Sequence, residues 1–213
     1  MADEKRSEHL IEGPAGLIEF IIDEPNCPPK GVVLVSHPQP LLGGSPHHLV
    51  PLTLSRKLNA EGWRVVRPSF RGVGKSTGAH DEGIGESEDS IIVVNHLQRL
   101  YPQLPIALVG FSFGAHVYAR VACALNDRLH AVALLGLPVG LVPGGRLYEP
   151  LALPAECLLL HAEQDEMAPL ANLFDWARPE RRAVMVFPGS NHFFKGCLAQ
   201  VAQHVATHLD HAF

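Results

Sequence analysis

The segment at residues 108–117 constrains the fold more than any other part of the chain. The continuous apolar run at 105–109 predicts a buried strand, and apolar spacing predicts a helix over about 113–125. Gly-x-Ser-x-Gly lies between them, with Ser112 in its middle. A turn this sharp strains the backbone at the serine and leaves room only for glycine on either side. The segment therefore predicts a strand–turn–helix unit that holds the Ser112 hydroxyl at a helix N-terminus.

The rest of the chain alternates short apolar runs with amphipathic stretches. The predicted strands are residues 17–22, 31–36, 63–68, 131–137, 157–161 and 183–187, and the predicted helices are 51–61, 86–100, 169–176 and 198–209. This alternation indicates an α/β fold, with a mostly parallel sheet and helices on both faces. Residues 1–213 are predicted to form one domain, in which residues 1–9 are a flexible tail and residues 138–154 are irregular.

Composition limits the classes of binding partner and the cellular compartment that we expect for this chain. The net charge of −5 argues against nucleic acid or an anionic membrane as the main partner. The first residues lack the apolar core of a signal peptide, and no apolar run is long enough to span a membrane. Four cysteines occur without a Cys-x-x-Cys pair, so we expect free thiols and a cytoplasmic protein.

Two residues could complete a catalytic set with Ser112. A serine hydroxyl becomes an effective nucleophile when a histidine removes its proton and a carboxylate orients that histidine. Asp165 follows the predicted strand 157–161, and His192 follows the predicted strand 183–187. In an open parallel sheet, such post-strand loops gather at one edge. The chain order Ser, Asp, His is the order found in α/β hydrolases.

Alternatives exist for both partners. Glu163 and Glu166 compete with Asp165 for the acid role, and the position of Asp165 in the post-strand loop favours it. His161 is the main rival of His192, but it ends a predicted strand and precedes the acid, which breaks the expected order.

Other motifs could suggest a metal or a nucleotide. His204 and His208 lie four residues apart on a predicted helix, yet no further ligand accompanies them, and His116 is expected to pack in the core. Residues 72–77 resemble the end of a phosphate-binding P-loop. The required first glycine is replaced by Ser69, and no stable helix is predicted to follow. We therefore expect neither a metal site nor a cofactor.

Acyl transfer also requires hydrogen-bond donors for the developing oxyanion. The backbone N–H of Phe113, directly after the serine, is one candidate. The second donor is expected in the loop after the strand 31–36. Pro38 and Pro40 have no N–H, which leaves Gln39 as the best candidate and Leu41 as the fallback.

Four motifs together resemble those of the small, lidless bacterial α/β hydrolases, over nearly the whole chain. They are His-Pro-x-Pro…Gly-Gly at 37–44, Arg-Gly-x-Gly-x-Ser at 71–76, Gly-Phe-Ser-Phe-Gly-Ala at 110–115 and His-Phe-Phe at 192–194. The resemblance implies a serine hydrolase with Ser112 as nucleophile, His192 as base and Asp165 as acid. It also makes the Arg71 turn structural, and Glu86 beyond it is expected to serve only as a first-turn acid of its helix.

Many relatives insert a helical lid after the strand that ends near residue 137. The interval 138–154 has 17 residues, with four prolines and three glycines, and is too short for a lid domain. We therefore expect an open, shallow pocket. Its predicted walls are Leu41, Leu42, Phe111, Phe113 and Phe193.

The sequence thus predicts a carboxylesterase-like enzyme. Its expected substrates are small-molecule esters or thioesters of small to medium acyl groups, cleaved through an acyl-enzyme on Ser112. Two alternatives remain open, namely peptidase or amidase chemistry with the same residues, and a non-catalytic binding protein with this fold. The sequence leaves the oligomeric state open.

Overall fold

The computed structural model describes residues 5–149 and 151–211. Strands and helices alternate along most of this range. The strands are β1 Lys5–Gly13, β2 Gly16–Glu24, β3 Gly31–Val35, β4 Trp63–Pro68, β5 Ile106–Phe111, β6 Ala131–Leu135, β7 Gly140–Val142, β8 Arg146–Tyr148, β9 Leu158–Gln164 and β10 Met185–Asn191. The α-helices are α1 Leu49–Ala60, α2 Ile84–Leu100, α3 Phe113–Leu125, α4 Leu170–Ala177 and α5 Leu198–His211.

Eight strands form one sheet in the order β1-β2-β4-β3-β5-β6-β9-β10. The pairings β1–β2 and β2–β4 are antiparallel, and every other pairing in this sheet is parallel. The carboxyl ends of the parallel strands meet at one edge, called here the carboxyl edge. The opposite edge, where those strands begin, is the amino edge. The prediction of a mostly parallel sheet is confirmed.

Two apolar layers cover the sheet, one on each face. The first contains residues of α2 and α3, and the second contains residues of α1 and α5. Strand β3 is fully buried and alternates between them, with Val32 and Leu34 in the first layer and Val33 and Val35 in the second. A strand buried on both faces is therefore a continuous apolar run in the sequence. The prediction of helices on both faces is confirmed.

The predicted tail is wrong for residues 5–9, which belong to β1; residues 1–4 lie outside the described range. Strand β1 pairs with β2 along its whole length, as an edge strand with mostly exposed side chains. The apolar face that β1 offers is small, with only Ile11 packed partly against the core. A strand of this kind has little of the hydrophobic signal on which sequence prediction depends.

The interval predicted to be irregular contains a small hairpin, β7–β8, instead. Gly144 and Gly145 both have positive φ and form its turn, a conformation that glycine adopts without a steric penalty. Among the described residues between β6 and β9 there is no helix. A helical lid is therefore absent from this part of the structure.

Candidate active site

The turn between β5 and α3 holds Ser112 in a conformation that few side chains tolerate, with φ 57° and ψ −126°. Both flanking glycines are required by their surroundings. A Cβ atom on Gly110 would lie 2.6 Å from the Cα of Ala115, and one on Gly114 would lie 2.6 Å from the carbonyl oxygen of His37. Backbone atoms cannot move aside cheaply, so the turn depends on glycine at both positions.

The three predicted catalytic side chains form one hydrogen-bonded chain at the carboxyl edge. Nε2 of His192 lies 2.8 Å from the Oγ of Ser112, and its Nδ1 lies 2.7 Å from the Oδ2 of Asp165. With Nδ1–H donating to the carboxylate, Nε2 is left to accept the serine proton. All three residues are buried, and Ser112 retains 8% of its surface exposed. The side chains of His192 and Asp165 are 4% and 0% exposed, so both are shielded from solvent.

Local backbone groups fix the acid in place. Oδ1 of Asp165 accepts hydrogen bonds from the N–H groups of Met167 at 3.0 Å and Ala168 at 2.7 Å, which leaves Oδ2 for the histidine. Glu163 and Glu166 are exposed, and neither contacts the histidine in the described structure. Of the three acids considered from the sequence, Asp165 alone meets the imidazole.

His161 lies behind the acid and does not reach the serine. It is fully buried in β9, and its Nε2 donates to the carbonyl oxygen of Ala168 at 2.7 Å. The same nitrogen lies 3.6 Å from the Oδ2 of Asp165. Burial lowers the pKa of His161, so the ring is neutral at pH 7. Its contacts suit a support for the loop that carries the acid.

Two backbone N–H groups predicted to bind the oxyanion are available as donors. The N–H of Phe113 begins α3, and the N–H of Gln39 lies in the loop after β3; neither has an acceptor among the described residues. The carbonyl oxygen of Gln39 accepts from Leu42 at 3.1 Å and from Gly44 at 3.0 Å, which tightens the loop. Leu41 lies within the same tight turn.

His37 holds this loop from beneath, a role that sequence analysis missed. Its Nε2 accepts from the N–H of Phe70 at 3.0 Å, so the proton lies on Nδ1, which donates to the carbonyl oxygen of Pro38 at 2.8 Å. Complete burial lowers its pKa to about 3 and keeps the ring neutral. The signal was present in the sequence, because His37 directly follows a strand predicted to be buried.

Glu86 does more than begin α2, so the expectation of a first-turn acid was incomplete. Its fully buried carboxylate accepts from the N–H groups of Asp81 and Gly83, both at 2.9 Å. His80 lies 3.0 Å from the same carboxylate, and its ring packs against Phe113 with centroids 4.9 Å apart. Glu86 thereby anchors the loop that supports the start of α3.

The P-loop-like segment is bound to the sheet through its own side chains. Nζ of Lys75 lies 2.7 Å from the carboxylate of Glu8, and the backbone N–H of Lys75 donates to the carboxylate of Glu19 at 3.1 Å. Ser76 donates to the carbonyl oxygen of Ser69 at 2.7 Å. The next helix, α2, begins only at Ile84. These contacts explain the glycine-rich turn as a structural part of the fold.

The predicted pocket walls divide into two groups. Leu41, Leu42 and Phe193 are exposed, at 67%, 58% and 38%. Phe111 and Phe113 are buried, which corrects their assignment as walls. Phe111 instead packs against the ring of His192 with centroids 5.1 Å apart. Phe111 and Phe113 flank the strand-to-helix turn on either side of Ser112, and their side chains point into the core that begins there.

An open groove of about 480 Å³, called here the Phe193 groove, adjoins the triad. Its lining residues are His48, Leu49, Asn191, Phe193, Phe194, Lys195, Gly196 and Leu198. They come from the start of α1 and from the segment that joins β10 to α5. The groove borders His192, because the ring of Phe193 lies 5.2 Å from that imidazole.

Three further observations concern metals, thiols and membranes. Within the described residues, no group of three or more His, Cys, Asp or Glu side chains is arranged to hold a metal ion. All four cysteines are free. No helix in the described ranges combines the length and apolarity that a membrane crossing needs.

The chain is similar in sequence and structure to known α/β hydrolases. The α/β hydrolase fold family matches residues 41–143. A structure described as an α/β serine hydrolase homologue from Coxiella burnetii is 31% identical, covers 97% of this chain and 98% of its own, and superposes with a TM-score of 0.81. A lidless α/β serine hydrolase from Xanthomonas campestris is 27% identical over 99% of this chain and 96% of its own, with a TM-score of 0.86.

The chain belongs to the α/β hydrolase family, with the fold of its serine hydrolases. Among curated sequences, a monoacylglycerol lipase of Mycolicibacterium smegmatis is 28% identical over 140 residues, which cover 64% of this chain and 48% of the lipase. The chain spans about half the length of the curated relatives it matches.

Proposed function

We propose that this protein is a serine hydrolase of carboxylic esters or thioesters with small to medium acyl groups, acting through an acyl-enzyme on Ser112. The observation that carries the proposal is the continuous hydrogen-bonded chain from Ser112 through His192 to Asp165, at 2.8 and 2.7 Å. Similarity to a protein named a monoacylglycerol lipase supports ester chemistry. We further propose a single domain of the small, lidless bacterial type, acting in the cytoplasm.

The first half-reaction transfers the acyl group to the enzyme. Nε2 of His192 accepts the proton of Ser112 while Oγ forms a bond to the carbonyl carbon. The resulting imidazolium is stabilised by the carboxylate of Asp165. As the tetrahedral intermediate collapses, the bond from the acyl carbon to the leaving oxygen or sulfur breaks, and Nε2–H protonates that atom.

The second half-reaction releases the acid. Water gives a proton to Nε2 and bonds to the acyl carbon, and the bond to Oγ of Ser112 then breaks as Oγ regains its proton. In both steps the carbonyl oxygen carries negative charge. The N–H groups of Phe113 and Gln39 are the proposed donors to it, with Leu41 as the fallback. Neither of the first two groups has an internal acceptor in the described structure, so both are available.

The open surroundings support the proposed acyl size. Leu41 and Leu42, in the turn that follows Gln39, expose apolar surface to solvent. The described residues between β6 and β9 form a hairpin and contain no lid helix. A long chain would therefore leave most of its apolar surface in water, and each further CH₂ would add little binding energy.

The test is a panel of esters, thioesters and amides of graded acyl length, combined with labelling by a fluorophosphonate probe. We expect labelling and ester hydrolysis in the wild type. In Ser112→Ala, both should fall by at least about 10³-fold, because the remaining groups cannot form the acyl-enzyme. Ser55→Ala is the matched control, since that hydroxyl bonds only within α1, to the carbonyl oxygen of Pro51.

Three results would contradict the proposal. Undiminished hydrolysis in Ser112→Ala would place the chemistry elsewhere. Turnover of amides without turnover of esters or thioesters would indicate a peptidase or amidase. Absence of both labelling and turnover in the wild type would indicate a non-catalytic binding protein.

A further inference from the structure

The Phe193 groove offers a largely apolar surface next to the base. Leu49 and Phe193 are exposed, and Leu198 lies at the start of α5. Exposed apolar side chains that share one concave surface are typical of ligand sites. The groove joins two segments that are remote in sequence, so its shape is a product of the fold.

His48 adds a polar atom of defined character to the groove. Its ring lies beside Phe111 and Phe193, with centroids 6.2 and 5.3 Å away. Nδ1 accepts from the N–H of Val50 at 3.4 Å, so the neutral ring carries its proton on Nε2. Burial, and then the charge of His192, lower the pKa of His48 and favour this neutral form. Nε2–H has no acceptor among the described residues and is free to donate.

Lys195 gives the groove its charge. Its side chain is exposed and has no carboxylate partner within the described ranges, whereas Lys57 pairs with Glu61 at 2.6 Å. The groove lining contains no Asp or Glu. An anion bound there would meet an unneutralised cation and no repelling charge.

The proposed mechanism gives the groove a direction. His192 must deliver its proton to the leaving atom, so the leaving group has to lie on the His192 side of the acyl carbon. The Phe193 groove borders the His192 imidazole, because the ring of Phe193 lies 5.2 Å from the ring of His192. Of the proposed oxyanion donors, Phe113 begins α3 and Gln39 lies in the loop after β3, and neither residue lines the groove.

We propose that the Phe193 groove binds the leaving group of the substrate, and that it selects an apolar or aromatic leaving group that carries a negative charge. This inference rests on the proposed function. Phe193 and Leu198 contact the apolar body, and Lys195 pairs with the anionic substituent. After cleavage the released phenol or alcohol carries the proton from Nε2 of His192.

The experiment compares two aryl esters with the same acyl group, one with a para-carboxylate and the other with a para-carboxamide on the leaving phenol. Each rate is divided by the uncatalysed rate, which removes the difference in leaving-group reactivity. In the wild type we expect kcat/KM to be about three- to fivefold higher for the carboxylate, as an exposed ion pair allows. This preference should vanish in Lys195→Met, reverse in Lys195→Glu and shrink in high salt. Lys57→Met, on the far part of α1, should keep the wild-type ratio.

An equal ratio in wild type and Lys195→Met would overturn the inference while leaving ester hydrolysis intact. If the neutral ester shows no Ser112-dependent turnover, the proposed function fails instead. Binding of para-hydroxybenzoate and para-hydroxybenzamide, measured by NMR titration, then decides the groove separately. Tighter binding of the carboxylate that is lost in Lys195→Met supports the groove, and equal binding of the two compounds refutes it.

Discussion

The two edges of the sheet carry similar types of polar residue, but these residues have different hydrogen-bond partners. At the carboxyl edge, a serine, a histidine and an aspartate form one chain. At the amino edge, a cavity of about 520 Å³ is lined by histidine, cysteine and glutamate residues, which are also common in catalytic sites. These are His130, Cys157, Glu156, His208 and His211.

The difference lies in the hydrogen-bond partners. His130 lies 3.0 Å from the carbonyl oxygen of Leu209, and His208 lies 3.2 Å from that of Val132, so both tie α5 to the region of β6. Burial raises the pKa of the Cys157 thiol to about 12, which keeps it protonated and unreactive. His192, in contrast, places a carboxylate on one nitrogen and a hydroxyl on the other. Residue type alone therefore does not distinguish a candidate active site from a group of residues that only connects two elements of the fold.

The largest effect that would test this contrast concerns the acid. We expect Asp165→Asn to lower kcat by about 10³- to 10⁴-fold, because an amide can neither hold the same histidine tautomer nor stabilise the imidazolium. His161→Gln, next to the same loop, should lower kcat less than about tenfold, since that ring contacts a carbonyl oxygen and not the serine. The measurement is kcat of both variants at a temperature at which each is fully folded. An equal loss in the two variants would remove the distinction between acid and support.

A second effect separates the edges by pH. Burial lowers the pKa of His116, on α3, to about 4, whereas the unfolded value is near 6.5. Below pH 6.5 the unfolded chain binds this proton and the folded chain does not. The free energy of unfolding should therefore fall with falling pH, by about 1.4 kcal/mol per unit between pH 6.5 and 4.

Denaturant unfolding at pH 7 and 5.5 would show this dependence. His37 contributes in the same direction, because burial lowers its pKa to about 3. His116→Phe should reduce the loss of stability by about 1 kcal/mol across this interval. The same replacement at the amino edge, His208→Phe, should change it less, because His208 is only partly buried and faces Glu156. Identical pH dependence in wild type and His116→Phe would contradict the expectation.

The smallest effect is expected from the amino edge itself. His208→Phe removes the hydrogen bond to the carbonyl oxygen of Val132, and should lower the free energy of unfolding by about 1 kcal/mol at pH 7. Activity should stay within about twofold of wild type. A loss of kcat/KM of tenfold or more in a folded variant would show that the two edges are coupled.

The positions of the triad residues were predictable because each one directly follows a strand. Parallel strands end at the same edge, so Ser112, Asp165 and His192 had to gather there once the strands were recognised. The acid could be favoured but not decided from the sequence alone. The orientation of the Asp165 carboxylate depends on the N–H groups of Met167 and Ala168, which bind one of its oxygens and leave the other for His192.

Features that depend on packing between distant segments could not be predicted. The burial of Phe111 follows from its contacts with His48 and His192, which lie on other loops. The anchoring role of Glu86 depends on how the preceding loop folds back over it. The Phe193 groove exists only because the start of α1 lies beside the segment after β10.

The two outermost strands of the sheet also affect how copies of the chain meet one another. Within the described residues, no strand pairs with the outer side of β1, but Arg6 and Glu8 lie on this strand and pair with Asp23 and Lys75. β10, at the other end, is interrupted by Pro188 within a shift of register. A strand added at either end would have to bury charges or pair with an irregular backbone. The sheet thus resists the edge-to-edge pairing that leads exposed β-structure to aggregate.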